Sequence, residues 1–510
     1  QGSVDQIGDG VGEMGDSLPP IELGTGVEIQ ECFELTPTVA PTMDPTFDPT
    51  TPSPTFDPTT PSPTFDPTFD PTFDPTFSFD PTFNPTIYVF PSYSCKSDFA
   101  GEEHTCALFT DSTIKCWGHS NYGQLGYGDT TDRGDGAGEM GDSLAFVNLN
   151  GDVKAVSLGI HHSCAAFTDF TAGCWGDNTY GQLGRGEATT RGDNANEMGA
   201  YLAAIDVGTN VYVDLIVTGT SEHTCMVSTV GGVKCWGRNQ HGQLGYGDTE
   251  DRGDGGGEMS DYLDFVDVGS GCSVAADVSS GQYHTCVVCS DGDVKCFGLN
   301  DVGQLGQGDA DNRGDGAGEM GDYLRAIDLG SGLRVSKMLS GYWHNCLVFD
   351  DGSMKCFGSS SEGQLGYGDT SSRGKWENQM GDDLPFVDVG SGRTVVDVCG
   401  ARHTCAILDD YSVKCWGRGV NGQLGYGDGT KRGDGANEMG DNLPVVDVGT
   451  DLNAESIHCG TYHTCAVLND GSMKCWGWNA YGQLGQGSVD QIGDGVGEMG
   501  DSLPPIELGT

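Results

Sequence analysis

HTCAILDDYSVKCWGRGVNGQLG, residues 403–425, is the stretch on which the fold turns. His403 to Leu408 and Val413 to Gly417 are short runs with β-branched and aromatic residues, and Asp409 to Ser412 supplies turn chemistry between them. Cys405 and Cys415 stand ten residues apart with the turn midway. A hairpin therefore sets them opposite each other on antiparallel strands, at a separation that a disulfide bridges.

Outward from this stretch, the Gly-Gln-Leu-Gly signature begins at Gly123, Gly181, Gly242, Gly303, Gly363, Gly422 and Gly482. The period is about 60 residues, which marks a repeat architecture. Each copy continues through a polar loop and Glu-Met-Gly-Asp to a closing Val-Asp-Val-Gly strand. Short alternating strands punctuated by Gly and Asp predict an all-β fold, a seven-bladed β-propeller of four-stranded blades over residues 88–510. With 83 glycines and no long helical period, helical solenoids are poor candidates. A ring of blades buries apolar faces between neighbours.

The cysteine pair recurs as Cys106 with Cys116, Cys164 with Cys174, Cys225 with Cys235, Cys286 with Cys296, Cys346 with Cys356, and Cys465 with Cys475. Each bridge would contribute roughly 2 to 3 kcal/mol by restricting the unfolded chain. Six cysteines remain. Cys399 and Cys459 hold equivalent places on adjacent blades and could link them, and Cys272 and Cys289 flank one turn. Cys32 and Cys95 bracket a low-complexity tract: joined to each other they make it a loop, and paired elsewhere they leave it a connector.

On the His-Thr-Cys, Cys-Trp-Gly and Gly-Gln-Leu-Gly motifs the chain resembles the regulator of chromosome condensation repeat superfamily, in its cysteine-rich extracellular branch. The resemblance implies a seven-bladed propeller in a secreted or surface protein. It implies little about activity, because unrelated functions share the propeller.

Other recurrent residues have structural readings. His104, His162, His223, His284, His344, His403 and His463 would be spread too far around a ring to fill one metal site, so hydrogen bonds within each blade are expected and no metal is assigned. Trp117, Trp175, Trp236, Trp416 and Trp476, with Phe297 and Phe357 in the same place, read as packing between blades. Arg-Gly-Asp at Arg133, Arg191, Arg252, Arg313 and Arg432 belongs to the repeat's own loop. The Asp-rich loops, such as Asp129 to Asp142, lack the pattern of a dedicated calcium site, which leaves weak calcium binding at most and no other cofactor. In the fifth repeat Trp376 stands in a loop of small residues and is a candidate contact residue.

Two segments precede the propeller. Residues 36–87 form a Pro/Thr/Phe stalk in which Asp-Pro-Thr-Phe recurs, and proline at this density excludes helix. Candidate O-glycosylation or hydroxylation positions there are Thr46, Thr50, Thr55, Thr59, Thr64, Thr68, Thr72 and Thr76, with Pro45, Pro49, Pro58, Pro67, Pro71 and Pro75. Residues 1–35 read as a terminal propeller segment, because residues 1–25 are identical to residues 486–510 and Gly26 to Leu35 lead into the stalk. The duplication suggests a longer period of propeller and stalk units, with the alternatives of two copies used inside one molecule or of a propeller closed by a neighbour's segment.

Seventy-five acidic against 24 basic side chains give a net charge of −51, which repels nucleic acid and anionic membranes. Twenty cysteines in regular pairs point to an oxidising, extracellular compartment. There is no apolar run long enough to span a bilayer. No nucleophile stands beside a base and no glycine-rich loop precedes a helix, so an enzyme is not expected. The leading expectation is a structural subunit of an extracellular, O-glycosylated filament or appendage that assembles with itself. The alternative is a secreted recognition module that binds protein or carbohydrate through a propeller face.

Overall fold

The computed structural model describes residues 100–509, apart from Ser273. Cys32, Cys95, the threonine and proline candidates between Pro45 and Thr76, and the segments 1–35 and 36–87 lie outside the described residues.

Seven antiparallel sheets follow one another along the chain. The first holds β1 (His104–Leu108) and β2 (Ile114–Gly118). The second holds β3 (Val153–Leu158), β4 (His162–Phe167) and β5 (Ala172–Gly176), and the third β6 (Val213–Val217), β7 (His223–Ser228) and β8 (Val233–Gly237). Then come β9 (Val274–Ser280), β10 (His284–Cys289) and β11 (Val294–Gly298), followed by β12 (Val335–Ser340), β13 (His344–Phe349) and β14 (Met354–Gly358). The last two are β15 (Val395–Gly400), β16 (His403–Leu408) and β17 (Val413–Gly417), and β18 (Ala454–Cys459), β19 (His463–Leu468) and β20 (Met473–Gly477). The histidine strand is central in each three-stranded sheet, and the first strands of neighbouring blades lie beside one another around the axis.

The expected fourth strand is reduced to one rung. After the third strand the chain loops back and meets its edge at a single antiparallel bridge, Gly118 with Arg133 and its equivalents through Gly477 with Ile492. Gly118 N–H donates to the Arg133 carbonyl at 2.7 Å, and Arg133 N–H donates to the Gly118 carbonyl at 3.1 Å. The next residue, Gly134, takes φ +87°, a left-handed conformation that turns the backbone away and ends the ladder.

Opposed cysteines occupy directly facing positions of the hairpin, Cys405 against Cys415 for example, with Cα atoms 4.1 Å apart. The same disulfide joins the equivalent pair in every blade. Cys272 is bonded to Cys289, and Cys399 to Cys459, which ties the first strands of the last two blades together.

Packing runs between blades. Leu108, Ile114 and the Cys106–Cys116 disulfide of the first blade share one cluster with Val156, Leu158 and Trp175 of the second. The ring closes in the same way, because Leu484 and Ile506 of the last repeat pack on Ala107, Trp117 and Leu144 of the first. Lys115 Nζ donates to the Gly141 and Leu508 carbonyls at 2.9 and 2.8 Å, and Gly141 N–H donates to the Glu507 carbonyl at 2.9 Å. Thus residues 486–509, the copy of the amino-terminal sequence, dock on the first blade. Among the described residues no helix is long and apolar enough to cross a membrane.

Candidate functional site

Ahead of the histidine strand six of the seven blades carry the sequence Gly-x-x-His, and in the third Thr220 stands in place of the glycine. Gly101 N–H donates to the His104 carbonyl at 2.9 Å, and Gly159, Gly281, Gly341 and Gly460 do the same to their histidines. A Cβ at Gly460 would stand 2.4 Å from the His463 ring, so glycine is required for the histidine to fold under the turn.

The histidine rings are buried and form a relay around the ring. Nε2 bonds the residue after the next blade's histidine: His104 to Ser163, His162 to Thr224, His223 to Thr285, His284 to Asn345, His344 to Thr404, His403 to Thr464, and His463 to Thr105. Each hydroxyl or amide acceptor in turn donates to a Gly-Gln-Leu-Gly carbonyl, Thr464 to Gln423 at 2.9 Å for example. The hydroxyl proton being spent there, Nε2 must carry the hydrogen, which fixes the tautomer. Burial pushes these rings well below the ordinary imidazole range, to about 3 for His463 and about 4 for His284, so they are neutral. The bonds expected within a blade thus lie between blades. Trp416 and Trp476 Nε1 add donors to the carbonyls of Gln364 and Gln423.

On this repeated frame sit positions that do not repeat. The residue just before each histidine offers its carbonyl to the N–H of the residue after Cys-Trp-Gly or Cys-Phe-Gly, so the two side chains are neighbours: Glu103 with His119, His161 with Asp177, Glu222 with Arg238, Tyr283 with Leu299, Trp343 with Ser359, Arg402 with Arg418, and Tyr462 with Trp478. Every pair is different. Adjacent turns are also stitched together, Tyr342 N–H donating to the Ala401 carbonyl at 2.8 Å.

These side chains converge at one mouth of the ring. The Arg402 guanidinium lies 4.2 Å from the Tyr342 ring centroid, 5.4 Å from Trp343 and 5.5 Å from Tyr462. Arg238 pairs with Glu222 and covers Tyr180 and Tyr283 at 4.7 and 5.5 Å. Arg418 bonds Glu362 at 3.2 Å, and Lys431 reaches the same carboxylate. Burial, reinforced by the Glu103 carboxylate, pushes Glu102 up to about 7 against the opposing pull of Arg402. Half-buried tyrosine, tryptophan and arginine at one place is the composition of a binding hot spot.

The residues singled out from sequence fall elsewhere. Trp376 is 63% exposed, with Lys375 Nζ 5.6 Å from its ring and its own N–H bonded to Gln379. The Arg-Gly-Asp arginines are committed to their own loop: Arg133 pairs with Asp129 at 2.9 Å and lies 4.2 Å from the Tyr127 ring, and Arg252, Arg313 and Arg432 pair with Asp248, Asp309 and Asp428. These loop aspartates spend oxygens on arginine, and Glu139 spends one on the N–H groups of Gly134 and Gly136. The variable face was missed because a repeat signature is read from what recurs. The signal was available in the two residues that precede each invariant histidine.

Residues 99–124, 213–243, 275–304, 335–364, 398–423 and 455–483 match the regulator of chromosome condensation (RCC1) repeat, as do residues 412–467. The chain is 30% identical over 398 residues to the ultraviolet-B receptor UVR8 of Arabidopsis thaliana, covering 77% of this chain and 79% of that protein. It is 31% identical over 221 residues to the E3 ubiquitin-protein ligase HERC2 of Homo sapiens, a match over 42% of this chain and 4% of that one. Among solved structures, Prp20p from Saccharomyces cerevisiae aligns with TM-score 0.58 at 16% identity over 82% of this chain and 87% of that chain. Human WBSCR16 aligns with TM-score 0.55 at 20% identity over 74% and 90%. Likeness at these identities speaks for the fold alone.

Proposed function

Because this chain belongs to the regulator of chromosome condensation (RCC1) repeat family, whose fold does not by itself name an activity, we propose that its function lies in what the repeats do not share. The chain is a secreted or surface recognition module whose Gly-x-x-His face binds a protein partner. The observation that carries this reading is the set of unlike pairs from Glu103/His119 to Tyr462/Trp478 on an otherwise repeated frame. Variation gathered at one mouth is what recognition of an unsymmetrical partner requires. Nine disulfides among the described residues support an oxidising compartment.

A photo-crosslinking side chain at Tyr462 is expected to capture a partner from the extracellular material of the source, and the same probe at Trp376 is expected to capture none. Capture from Trp376 alone would refute the assignment of the face. A glycan recovered in place of a protein would move the reading to carbohydrate recognition.

A second reading follows from the docking of residues 486–509 on the first blade, since residues 1–25 repeat the docked sequence. Propeller and stalk units in series would form an O-glycosylated extracellular filament. Electron microscopy without reductant is expected to show beaded fibres if this holds; dispersed single rings would count against it.

A further inference from the structure

Three metal-ligating side chains meet on the face where the first and second blades join. Glu103, His119 and His161 each bring one ligand atom into a group in which all lie within 4.8 Å of one another. Glu103 and His161 immediately precede His104 and His162, the repeated histidines of neighbouring blades, and His119 follows Gly118 at the end of β2. In the other blades the place of His119 is taken by Asp177, Arg238, Leu299, Ser359, Arg418 and Trp478, so the cluster is not a by-product of the repeat.

The imidazoles are held in place by aromatic rings. Tyr481 stacks on His119 with centroids 4.0 Å apart and planes at 20°, and Tyr122 stacks on His161 at 5.1 Å and 30°. The two imidazoles meet edge to face at 6.4 Å. His119 is 5% exposed, and the Nδ1 atoms of both histidines are buried without a hydrogen bond. His119 Nδ1 nonetheless faces Glu103 Oε2 at 2.8 Å. A nitrogen lone pair aimed at a carboxylate oxygen is repulsive unless a cation or proton lies between them. Asp177 adds negative charge beside His161. Its own oxygens are taken by Thr179 and Gln182, so it supports the site without ligating.

We propose that Glu103, His119 and His161 bind one divalent transition-metal ion of the zinc class, with one coordination position left open to an exchangeable ligand. Two imidazoles and a carboxylate form a known zinc donor set, and imidazole suits zinc, copper and nickel alike. The other cluster with suitable spacing, His403 with Cys405 and Cys459, is closed to metal because both sulfurs are in disulfides. The site stands whether or not the face binds a protein.

Equilibrium dialysis of the intact, oxidised chain against Zn2+, with the visible spectrum of bound Co2+ as a second probe, tests the site. One ion per chain is expected. His161→Gln and Glu103→Gln should each weaken binding by at least about tenfold, since even outer-shell losses cost that much, and should abolish the Co2+ band. His161 bears no side-chain hydrogen bond, so the metal-free melting temperature of His161→Gln should match that of the parent, which separates ligand loss from misfolding. Binding below one ion per chain, or equal binding by the parent and both variants, would mean an adventitious ion only and overturn the proposal.

Discussion

At the scale of single residues, a polar relay links each blade to the next around the ring. Thr404 accepts from His344 at 3.0 Å and donates to the Gln364 carbonyl at 2.9 Å, in a place closed to water. Thr404→Val keeps the shape and strands the histidine N–H, which should cost about 1–3 kcal/mol in chemical denaturation. Thr404→Ser should recover most of it. The same burial makes the fold sensitive to acid. His223, His344, His403 and His463 are held near 3 and His284 near 4. In the unfolded chain such rings protonate from about pH 6.5 downward. Their contribution is therefore whole above pH 6.5 and is lost as pH falls toward 3, at about 1.4 kcal/mol per ring per pH unit. Melting temperature should drop steadily from pH 6.5 to 5, and a flat profile there would show that the rings are not buried neutral. The recurrence of these histidines was plain in the sequence, but their partners were not. His403 bonds Thr464, a residue one whole repeat away, and a motif read within one copy cannot reach it.

At the scale of the blade, the hairpin and its turn were legible because period, turn chemistry and cysteine spacing all agree on them. The fourth strand was not. The segment that returns to Gly118 is Arg133-Gly134-Asp135, and one left-handed glycine limits it to a single bridge, a backbone effect that strand counting by sequence pattern overlooks. The disulfide across Cys465 and Cys475 closes a small loop inside an already paired hairpin. Replacing both cysteines by serine should lower stability by roughly 2–3 kcal/mol by the loop-closure argument, measured by denaturant unfolding, with the far-ultraviolet circular dichroism unchanged. The variable turns lie between elements, where Glu103 or Arg402 carries no periodic signal. That these residues vary could be read from the repeats, but their convergence on one face had to come from three dimensions.

At the scale of the whole molecule, closure and recognition are separate properties. Closure depends on the last repeat packing on the first blade through Ile506, Leu484 and Trp117. A charge buried there by Ile506→Asp should open that seam, so hydrogen exchange should rise first in β1, β2, β19 and β20 while the middle blades stay protected. Recognition depends on the mouth formed by the Gly-x-x-His turns, and it should be removable without loosening the ring. The most direct measurement compares, for the captured partner, the affinity of the intact chain with that of a Trp343→Ala, Arg402→Ala double variant and of Trp376→Gly. A loss of about 2 kcal/mol or more, at least roughly thirtyfold, is predicted for the double variant, with Trp376→Gly binding like the parent. Unchanged binding by the double variant, at unchanged melting temperature, would place the partner elsewhere and contradict the account.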